Sequence, residues 1–327
     1  MINHHILIFL LITTTYNLLA ILRANRIQKT PGELIDIGES KLHLYRKGTG
    51  KPTIIIDHSL GGIEGYFLID ALGEITQVCI YDRAGYGWSD RNNKSRCSQN
   101  IVTELDLLLT KANIEPPYIL VGDSFGSYNV RLYAHQFPEK VVGLVLTDGL
   151  HENAMLNLPP IIKAIKFFFL SGFIISIFGS FVGIIRLLGN CGIFELIKPK
   201  LKKFSLSIRK QVKRSFYRPK HWITMAQEIS TLETSGRQLK VANDFKDLPI
   251  VSIKSKTFLK RSLFNFFFPF AKLDQVRDQI HQDLSSISND FTQLYASNSS
   301  HFVWIDEPEK IIEAVKIIKN KLDNQIK

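Results

Sequence analysis

Residues 118–134 read Tyr-Ile-Leu-Val-Gly-Asp-Ser-Phe-Gly-Ser-Tyr-Asn-Val-Arg-Leu-Tyr-Ala, and this stretch decides the fold. The opening apolar run is typical of a strand buried on both faces, and the residues from Phe125 onward have a helical pattern. Gly122 and Gly126 lie two positions before and after Ser124, where they leave the backbone room to cross itself. The helix that follows directs its first N–H groups at Ser124. The stretch therefore predicts an α/β fold with a nucleophilic serine in a strand-to-helix turn.

Asp123 is the alternative nucleophile in this turn, because an aspartate can also occupy its apex. With Asp123 at the apex, Val121 and Phe125 would take the positions of the two glycines. Both side chains are too bulky for a backbone that crosses itself there. Ser124 is therefore the predicted nucleophile.

A serine hydroxyl is a weak nucleophile at its ordinary pKa and needs a neighbouring base. His301 is the predicted base, because it directly follows the last predicted strand and precedes a helix that begins near Pro308. The alternative is a solvated loop histidine without a catalytic role. The chain order of nucleophile, acid and histidine favours the catalytic interpretation.

The acid must lie on a loop beside His301, where it fixes the imidazole tautomer. The loop after the predicted strand 250–255 contains no carboxylate, whereas the loop after strand 142–147 begins with Asp148. Asp148 is therefore the predicted acid, although an aspartate at a strand end can also be a simple turn former. The other candidate carboxylates are Asp274, Asp278 and Asp290.

An acyl-transfer site also needs two backbone N–H groups directed at the developing oxyanion. Phe125 is predicted to supply one, because it follows the nucleophile. The second is predicted to come from the loop His58-Ser59-Leu60-Gly61-Gly62, which follows the strand 53–57. Leu60 is the preferred donor and Ser59 is the competing one.

Short apolar strands alternate with helical stretches along most of the chain, which is typical of a mostly parallel sheet with helices on both faces. The eight predicted strands are 34–37, 41–46, 53–57, 78–82, 118–122, 142–147, 250–255 and 292–296, and the predicted helices include 98–111, 125–136 and 308–319. The first two strands alternate around a Gly38-Glu39 turn, so they are predicted to form an antiparallel hairpin. No strand pattern occurs between about residues 151 and 246.

These patterns predict three parts: an N-terminal hydrophobic helix at 1–28, an α/β core at 32–150 and 247–322, and a helical cap at 151–246. The uncharged stretch 6–22 spans roughly 25 Å, slightly less than the ~30 Å hydrocarbon core of a bilayer. An uncleaved anchor is preferred over a signal peptide or a helix docked on the domain, because positive charges follow the stretch instead of preceding it. Those charges place the catalytic domain on the cytoplasmic side.

A second uncharged stretch, 167–185, is long enough to be a second membrane span. Three glycines interrupt it, and later strands must return to the same domain. A buried or membrane-dipping lid over the sheet is therefore the preferred interpretation.

The formal net charge is +11, and ten Lys or Arg with no Asp or Glu lie between Lys198 and Lys220. A solvated helix face is the preferred interpretation, and contact with anionic lipid headgroups is the alternative. Nucleic acid is the least favoured partner, since no binding motif accompanies the charge. Cys79, Cys97 and Cys191 form no CxxC pair and are predicted to be small buried hydrophobic residues.

Together these features resemble the α/β-hydrolase family, in particular members with a helical cap inserted after the sixth strand. The resemblance runs from about Gly32 to Lys319 and includes residues 81–90, Tyr-Asp-Arg-Ala-Gly-Tyr-Gly-Trp-Ser-Asp, which is similar to the family's D-R-x-G-x-G-x-S loop. It implies a Ser–acid–His triad and no metal or organic cofactor. Ser59, Asp123 and Ser300 depart from the residues usual in the family at those positions.

The predicted function is a membrane-associated carboxylesterase or lipase-like enzyme that cleaves esters of apolar acyl or alcohol groups through an acyl-enzyme. The apolar cap segment 161–188 would roof the pocket, and membrane lipid is the expected partner besides the small-molecule ester. The alternatives are a thioesterase, an amidase or a C–C bond hydrolase with the same triad. A non-catalytic lipid-binding relative of the fold is the alternative outside enzymes.

Overall fold

The computed structural model describes residues 4–27, 29–260 and 268–325. Residues 1–3 and 28 of the predicted anchor, and residues 261–267 of the predicted core, lie outside this part of the chain. Eight strands form one sheet in the order β1-β2-β4-β3-β5-β6-β7-β8. The strands are β1 (Glu33–Asp36), β2 (Lys41–Lys47), β3 (Thr53–Asp57), β4 (Val78–Asp82), β5 (Tyr118–Asp123), β6 (Val141–Thr147), β7 (Ile250–Thr257) and β8 (Phe291–Ser300).

The strand pairing confirms the predicted mostly parallel sheet. β1 and β2 form the predicted antiparallel hairpin, and β2 also pairs antiparallel with β4. All other neighbours, from β3–β4 to β7–β8, are parallel. Because parallel strands direct their carboxyl ends to one edge, the loops after β3, β5, β6, β7 and β8 meet there.

Fourteen α-helices surround the sheet within the described residues. They are α1 (His4–Ile27), α2 (Gly65–Gly73), α3 (Ser98–Lys111), α4 (Gly126–Gln136), α5 (Glu152–Leu156), α6 (Pro160–Phe181), α7 (Ile184–Asn190), α8 (Ile193–Ile197), α9 (Leu206–Phe216), α10 (Pro219–Ser230), α11 (Leu232–Gln238), α12 (Phe270–Leu284), α13 (Val303–Asp306) and α14 (Glu309–Gln325). The predicted helices correspond to α3, α4 and α14, whereas α2 and α12 were not predicted.

Helices cover both faces of the sheet. Ile55 and Leu120 belong to the core on the side of α3 and α4, while Ile54 and Val121 belong to the core on the side of α2 and α14. Neighbouring strand residues point to opposite faces, so strands this apolar must be buried on both sides. This double burial holds the carboxyl ends of the central strands in fixed positions.

The chain between β6 and β7 contains helices α5 to α11 and no strand. Here α6 lies against α10 and joins α7, while α5 and α11 lie against each other. The apolar stretch of α6 is not buried as a whole, because its side chains alternate between inward and exposed positions. We refer to residues 151–246 as the cap.

Two surface predictions were wrong in part. Only Lys202, Lys203 and Lys210 of the ten cations between Lys198 and Lys220 are exposed. Arg214 is buried, with its guanidinium carbon 3.3 Å from the centre of the Trp88 ring, because the α9 face that carries it packs on the core. Cys191 is exposed, whereas Cys79 and Cys97 are buried as predicted.

Candidate active site

Ser124 lies in the turn between β5 and α4 with a left-handed backbone, φ 51°. Its amide donates to the Thr147 carbonyl at 2.9 Å, which ties the turn to the end of β6. A Cβ at Gly122 would lie 2.6 Å from a Val130 methyl carbon, and one at Gly126 would lie 2.3 Å from the Asp57 carbonyl oxygen. No side chain fits either position, so the two glycines permit the turn that presents Ser124.

His301 follows β8 and contacts Ser124 directly. Its Nε2 lies 2.9 Å from Ser124 Oγ, and its Nδ1 lies 2.6 Å from Asp148 Oδ2. The rings of Phe258 and Trp304 flank the imidazole, with centroids 5.0 and 5.8 Å away. The three predicted triad residues therefore form one continuous line of hydrogen bonds.

Asp148 begins the loop after β6 and is buried, with φ 42°. Its amide donates to the Ile253 carbonyl at 2.7 Å, and its Oδ1 accepts from the Ser255 amide at 3.1 Å. β7 thus fixes both ends of the residue, which orients Oδ2 toward His301.

The competing carboxylates bind cations elsewhere. Asp278 pairs with Lys254 at 2.7 Å. Asp274 lies 3.5 Å from Arg277 Nη1, and Asp290 pairs with Lys321. The structure brings only Asp148, among the four candidates, into contact with His301.

A second histidine that the sequence did not predict binds the same carboxylate. His281, on α12, is buried, with Nε2 3.2 Å from Asp148 Oδ1 and Nδ1 3.3 Å from Ser252 Oγ. Burial by itself raises the pKa of Asp148, but hydrogen bonds from His281 and His301 outweigh it and hold the pKa well below its usual value. Asp148 is therefore ionised throughout the neutral range.

Replacing His281 by Leu should lower the free energy of unfolding by about 2 kcal/mol, since a hydrogen bond to a charged group contributes roughly 1.5–3 kcal/mol. The lowered pKa of Asp148 stabilises the fold above the unfolded-state value of about 4, and this contribution is lost as the pH falls further. The difference between wild type and H281L should therefore be largest at neutral pH and shrink below about pH 4.

Urea unfolding at several pH values measures this difference. His135→Leu on α4 is the matched control, because that histidine is exposed. An H281L difference that is equal at all pH values would show that His281 does not act through the charge of Asp148.

The two predicted oxyanion donors line the same cavity as Ser124. Within the described part of the chain, neither the Leu60 nor the Phe125 amide donates a hydrogen bond. The Ser59 amide, the competing donor, instead binds the Glu64 carboxylate. The geometry thus leaves Leu60 and Phe125 available to a ligand and occupies Ser59.

The buried Arg83 side chain binds the backbone of the loop that carries Leu60. Its guanidinium donates to the carbonyls of His58 and Ser59 at 2.7 and 2.8 Å. It also pairs with Asp57 at 2.5 Å in the sheet and with Glu228 at 2.8 Å on α10. One cation therefore joins the loop, the sheet and the cap.

Two departures from the family pattern have local explanations. Burial, with a smaller effect from the Glu64 charge, raises the pKa of Asp123 well above its usual value, which disfavours a negative charge beside Ser124. Ser300 donates its amide and hydroxyl to Asp306 at 2.9 and 2.7 Å. A glycine at that position would lack the second bond.

A cavity of about 340 Å³ opens over Ser124 and His301. The cap residues that line it are mostly apolar, and they include Ile162, Ile165, Phe169, Phe173, Met225 and Ile229. Lys163, Lys166 and Glu233 are the charged cap residues of the lining. Among the described residues, no group of three or more His, Cys, Asp or Glu is arranged to hold a metal ion.

A sequence model of the α/β-hydrolase fold matches residues 52–178, which run from the start of β3 into α6 and include the serine turn. The chain has the α/β-hydrolase fold. The eight-stranded sheet and the N-terminal apolar helix agree with the fold class predicted from the sequence.

Sequence relatives of this α/β-hydrolase-fold protein include two from Bacillus subtilis (strain 168). The chain is 25% identical to YbdG over 124 residues, 37% of this chain and 38% of YbdG. It is 24% identical to YqjL over 274 residues, 83% of this chain and 85% of YqjL. The match thus covers most of YqjL but well under half of YbdG.

Solved structures with the same fold include two hydrolases. The enol-lactonase from Burkholderia xenovorans LB400 has a TM-score of 0.61 at 12% identity, covering 88% of this chain and all (100%) of the lactonase. The epoxide hydrolase CorEH has a TM-score of 0.63 at 16% identity, covering 89% of this chain and 98% of CorEH. Because these enzymes act on different bonds, the likeness identifies the fold and not the substrate.

Proposed function

We propose that this protein is a serine hydrolase that cleaves carboxylic esters with an apolar acyl or alcohol group. The observation that carries the proposal is the hydrogen-bonded line Ser124–His301–Asp148, which lies at the floor of an apolar cavity. A nucleophile, a base and an orienting acid within hydrogen-bond distance are the arrangement that acyl transfer requires.

In the first half-reaction, His301 Nε2 takes the proton of Ser124 Oγ as that oxygen bonds the ester carbonyl carbon. The carbonyl oxygen becomes an oxyanion, which accepts hydrogen bonds from the amides of Leu60 and Phe125. The intermediate then expels the alcohol oxygen, which receives the proton from His301, and an acyl-Ser124 ester remains. Asp148 holds the imidazole with Nδ1 protonated and stabilises the imidazolium while it exists.

In the second half-reaction, water takes the place of the alcohol. His301 Nε2 accepts a proton from the water as its oxygen bonds the acyl carbonyl carbon. The second tetrahedral intermediate breaks its bond to Ser124 Oγ, which regains the proton from His301. The carboxylic acid leaves and the free enzyme is restored.

Membrane association is part of the proposal. Helix α1 is long and apolar enough to cross a bilayer, and so is α6, by length and composition. Arg23, Arg26 and Lys29 follow the apolar part of α1. By the positive-inside rule they favour a catalytic domain on the cytoplasmic side.

Purified full-length protein in detergent, assayed with p-nitrophenyl esters of graded acyl length, tests the proposal. We expect kcat/KM to rise about fourfold for each CH₂ that the cavity buries, since each contributes about 0.8 kcal/mol, and then to level off. Matched thioesters and anilides should react more slowly. Faster cleavage of a thioester or anilide would instead identify a thioesterase or an amidase.

A fluorophosphonate probe, which bonds activated serines, separates enzymes from binding proteins. We expect labelling of the folded protein at Ser124. A folded protein that the probe does not label, and that cleaves no ester, would favour a non-catalytic lipid-binding relative.

A further inference from the structure

The two buried residues of helix α1 are polar, whereas most of its apolar residues are exposed. Thr13 and Asn17 are 8% and 3% exposed, whereas Leu11 and Ile12 are 69% and 62% exposed. A surface helix in water shows the reverse distribution, with an apolar stripe toward the core. This helix therefore has the residue pattern of one surrounded by lipid.

Hydrogen bonds and a close backbone contact attach α1 to the cap at the junction of α6 and α7. The Asn17 side chain donates to the Ser180 carbonyl at 2.7 Å and accepts from Arg186 Nε at 2.6 Å. Gly183 has φ 79°, and a Cβ there would lie 2.4 Å from the Thr13 carbonyl oxygen, so the backbones touch. Small residues and satisfied amides are the contacts by which helices associate in membranes. Helix α1 is thus attached to the cap at several points.

Helix α6 separates the candidate active-site cavity from the outside by one helix thickness. Ile165 and Phe173 on its inner face line the cavity. On its outer face, Phe167, Ile175 and Phe178 are 65%, 71% and 67% exposed. Since α6 lies against α10, its inner face belongs to the folded body and only its outer face is available to another molecule.

Exposed positive charges lie beside the exposed apolar side chains of this surface. Arg23 and Arg26 are exposed at the C-terminal end of α1. Lys202 and Lys203 are exposed shortly after Leu196, which is 72% exposed on α8. Helix α8 packs on α7 and α7 on α1, so the surface is continuous. Apolar side chains with flanking cations match a bilayer that contains anionic headgroups.

We propose that α1 and the outer face of α6 are immersed together in an anionic bilayer, so that the cavity behind α6 takes its ester substrate directly from the membrane. The immersion is inferred from the surfaces of the two helices alone. The membrane as the source of the substrate rests, in addition, on the proposed ester hydrolysis. The substrate class is accordingly a membrane-borne lipid ester.

Depth-dependent fluorescence quenching tests the immersion. Ile175→Cys in a Cys191→Ser background carries an environment-sensitive NBD label, and Cys79 and Cys97 are buried. In vesicles of phosphatidylcholine and phosphatidylglycerol we expect blue-shifted emission and quenching by doxyl-labelled acyl chains. The matched control is Leu107→Cys on α3. Leu107 is also an exposed apolar residue, but its helix packs on the sheet and is not part of the cap, so its label should stay accessible to aqueous iodide.

Two outcomes would overturn the immersion. The Ile175 label could remain in water, quenched by iodide, while the vesicles bind the protein through α1. It could also be shielded without vesicles in a protein that sediments as a dimer, which would identify a second copy as the covering molecule.

Turnover tests the source of the substrate. Replacing Ile175 and Phe178 together by Asp should reduce hydrolysis of a vesicle-borne ester about tenfold or more, because carboxylates oppose insertion. Hydrolysis of the soluble p-nitrophenyl butyrate should not change, since neither residue lines the cavity. Equal losses on both substrates would overturn loading from the membrane. Wild-type protein that shows lipid quenching but cleaves no ester would contradict the esterase and support the immersion.

Discussion

Replacing Ser124 by Ala should lower kcat for ester hydrolysis on the order of 10⁶-fold, the size of effect expected when a serine nucleophile is removed. The reason is that Ser124 Oγ lies 2.9 Å from His301 Nε2, so the Ser124 hydroxyl carries the proton that this base removes. The variant should also fail to react with a fluorophosphonate. Ester turnover and probe labelling of the purified variant measure both effects.

The control for S124A is Ser285→Ala, which removes an exposed hydroxyl at the end of α12. In urea unfolding, the free energy of unfolding of both variants should stay within about 0.5 kcal/mol of the wild-type value, because little packing is lost. Retained ester turnover in a folded S124A protein would refute the nucleophile, and with it the acyl-enzyme.

Replacing Asp148 by Asn should lower kcat by about 10³–10⁴-fold with little change in KM. Asp148 Oδ2 accepts from His301 Nδ1 at 2.6 Å, which leaves Nε2 unprotonated and able to act as a base. An asparagine amide can present its NH₂ group to Nδ1 instead. The ring then carries its proton on Nε2, where it cannot accept the serine proton.

Asp278→Asn is the matched control for D148N, because Asp278 was a candidate acid and its partner is the Lys254 ammonium. It should keep wild-type turnover. The assignment of Asp148 would be contradicted if D148N turned over normally while substitution of Asp274, Asp278 or Asp290 abolished activity.

The sheet could be predicted from sequence because its strands are short apolar runs between clear turns. β3 and β4 begin and end where the pattern placed them, and the other strands differ mainly at their ends, where pairing with a neighbour extends them. The serine turn was predictable for a similar local reason, since the glycine spacing, the preceding strand and the following helix all lie within the stretch 118–134.

Contacts between distant segments were not predictable. His281 lies 133 residues from Asp148 along the chain, and nothing near it indicates that α12 brings it to the carboxylate. The helix itself left a signal, because the buried residues Phe270, Leu273, Ile280 and Leu284 recur at helical spacing. In the basic stretch, charge suggested solvation, but stacking of Arg214 on Trp88 depends on a neighbour that the sequence does not identify.

The ion pairs of the Arg83 guanidinium restrict movement of the cap relative to the sheet. Its partners Asp57 and Glu228 lie on opposite sides of the boundary between sheet and cap, and all three side chains are fully buried. Swinging the cap away would break the two hydrogen bonds of 2.8 and 3.0 Å that join the Arg83 guanidinium to the Glu228 carboxylate. This buried ion pair therefore opposes a hinge-like opening of the cap above Ser124.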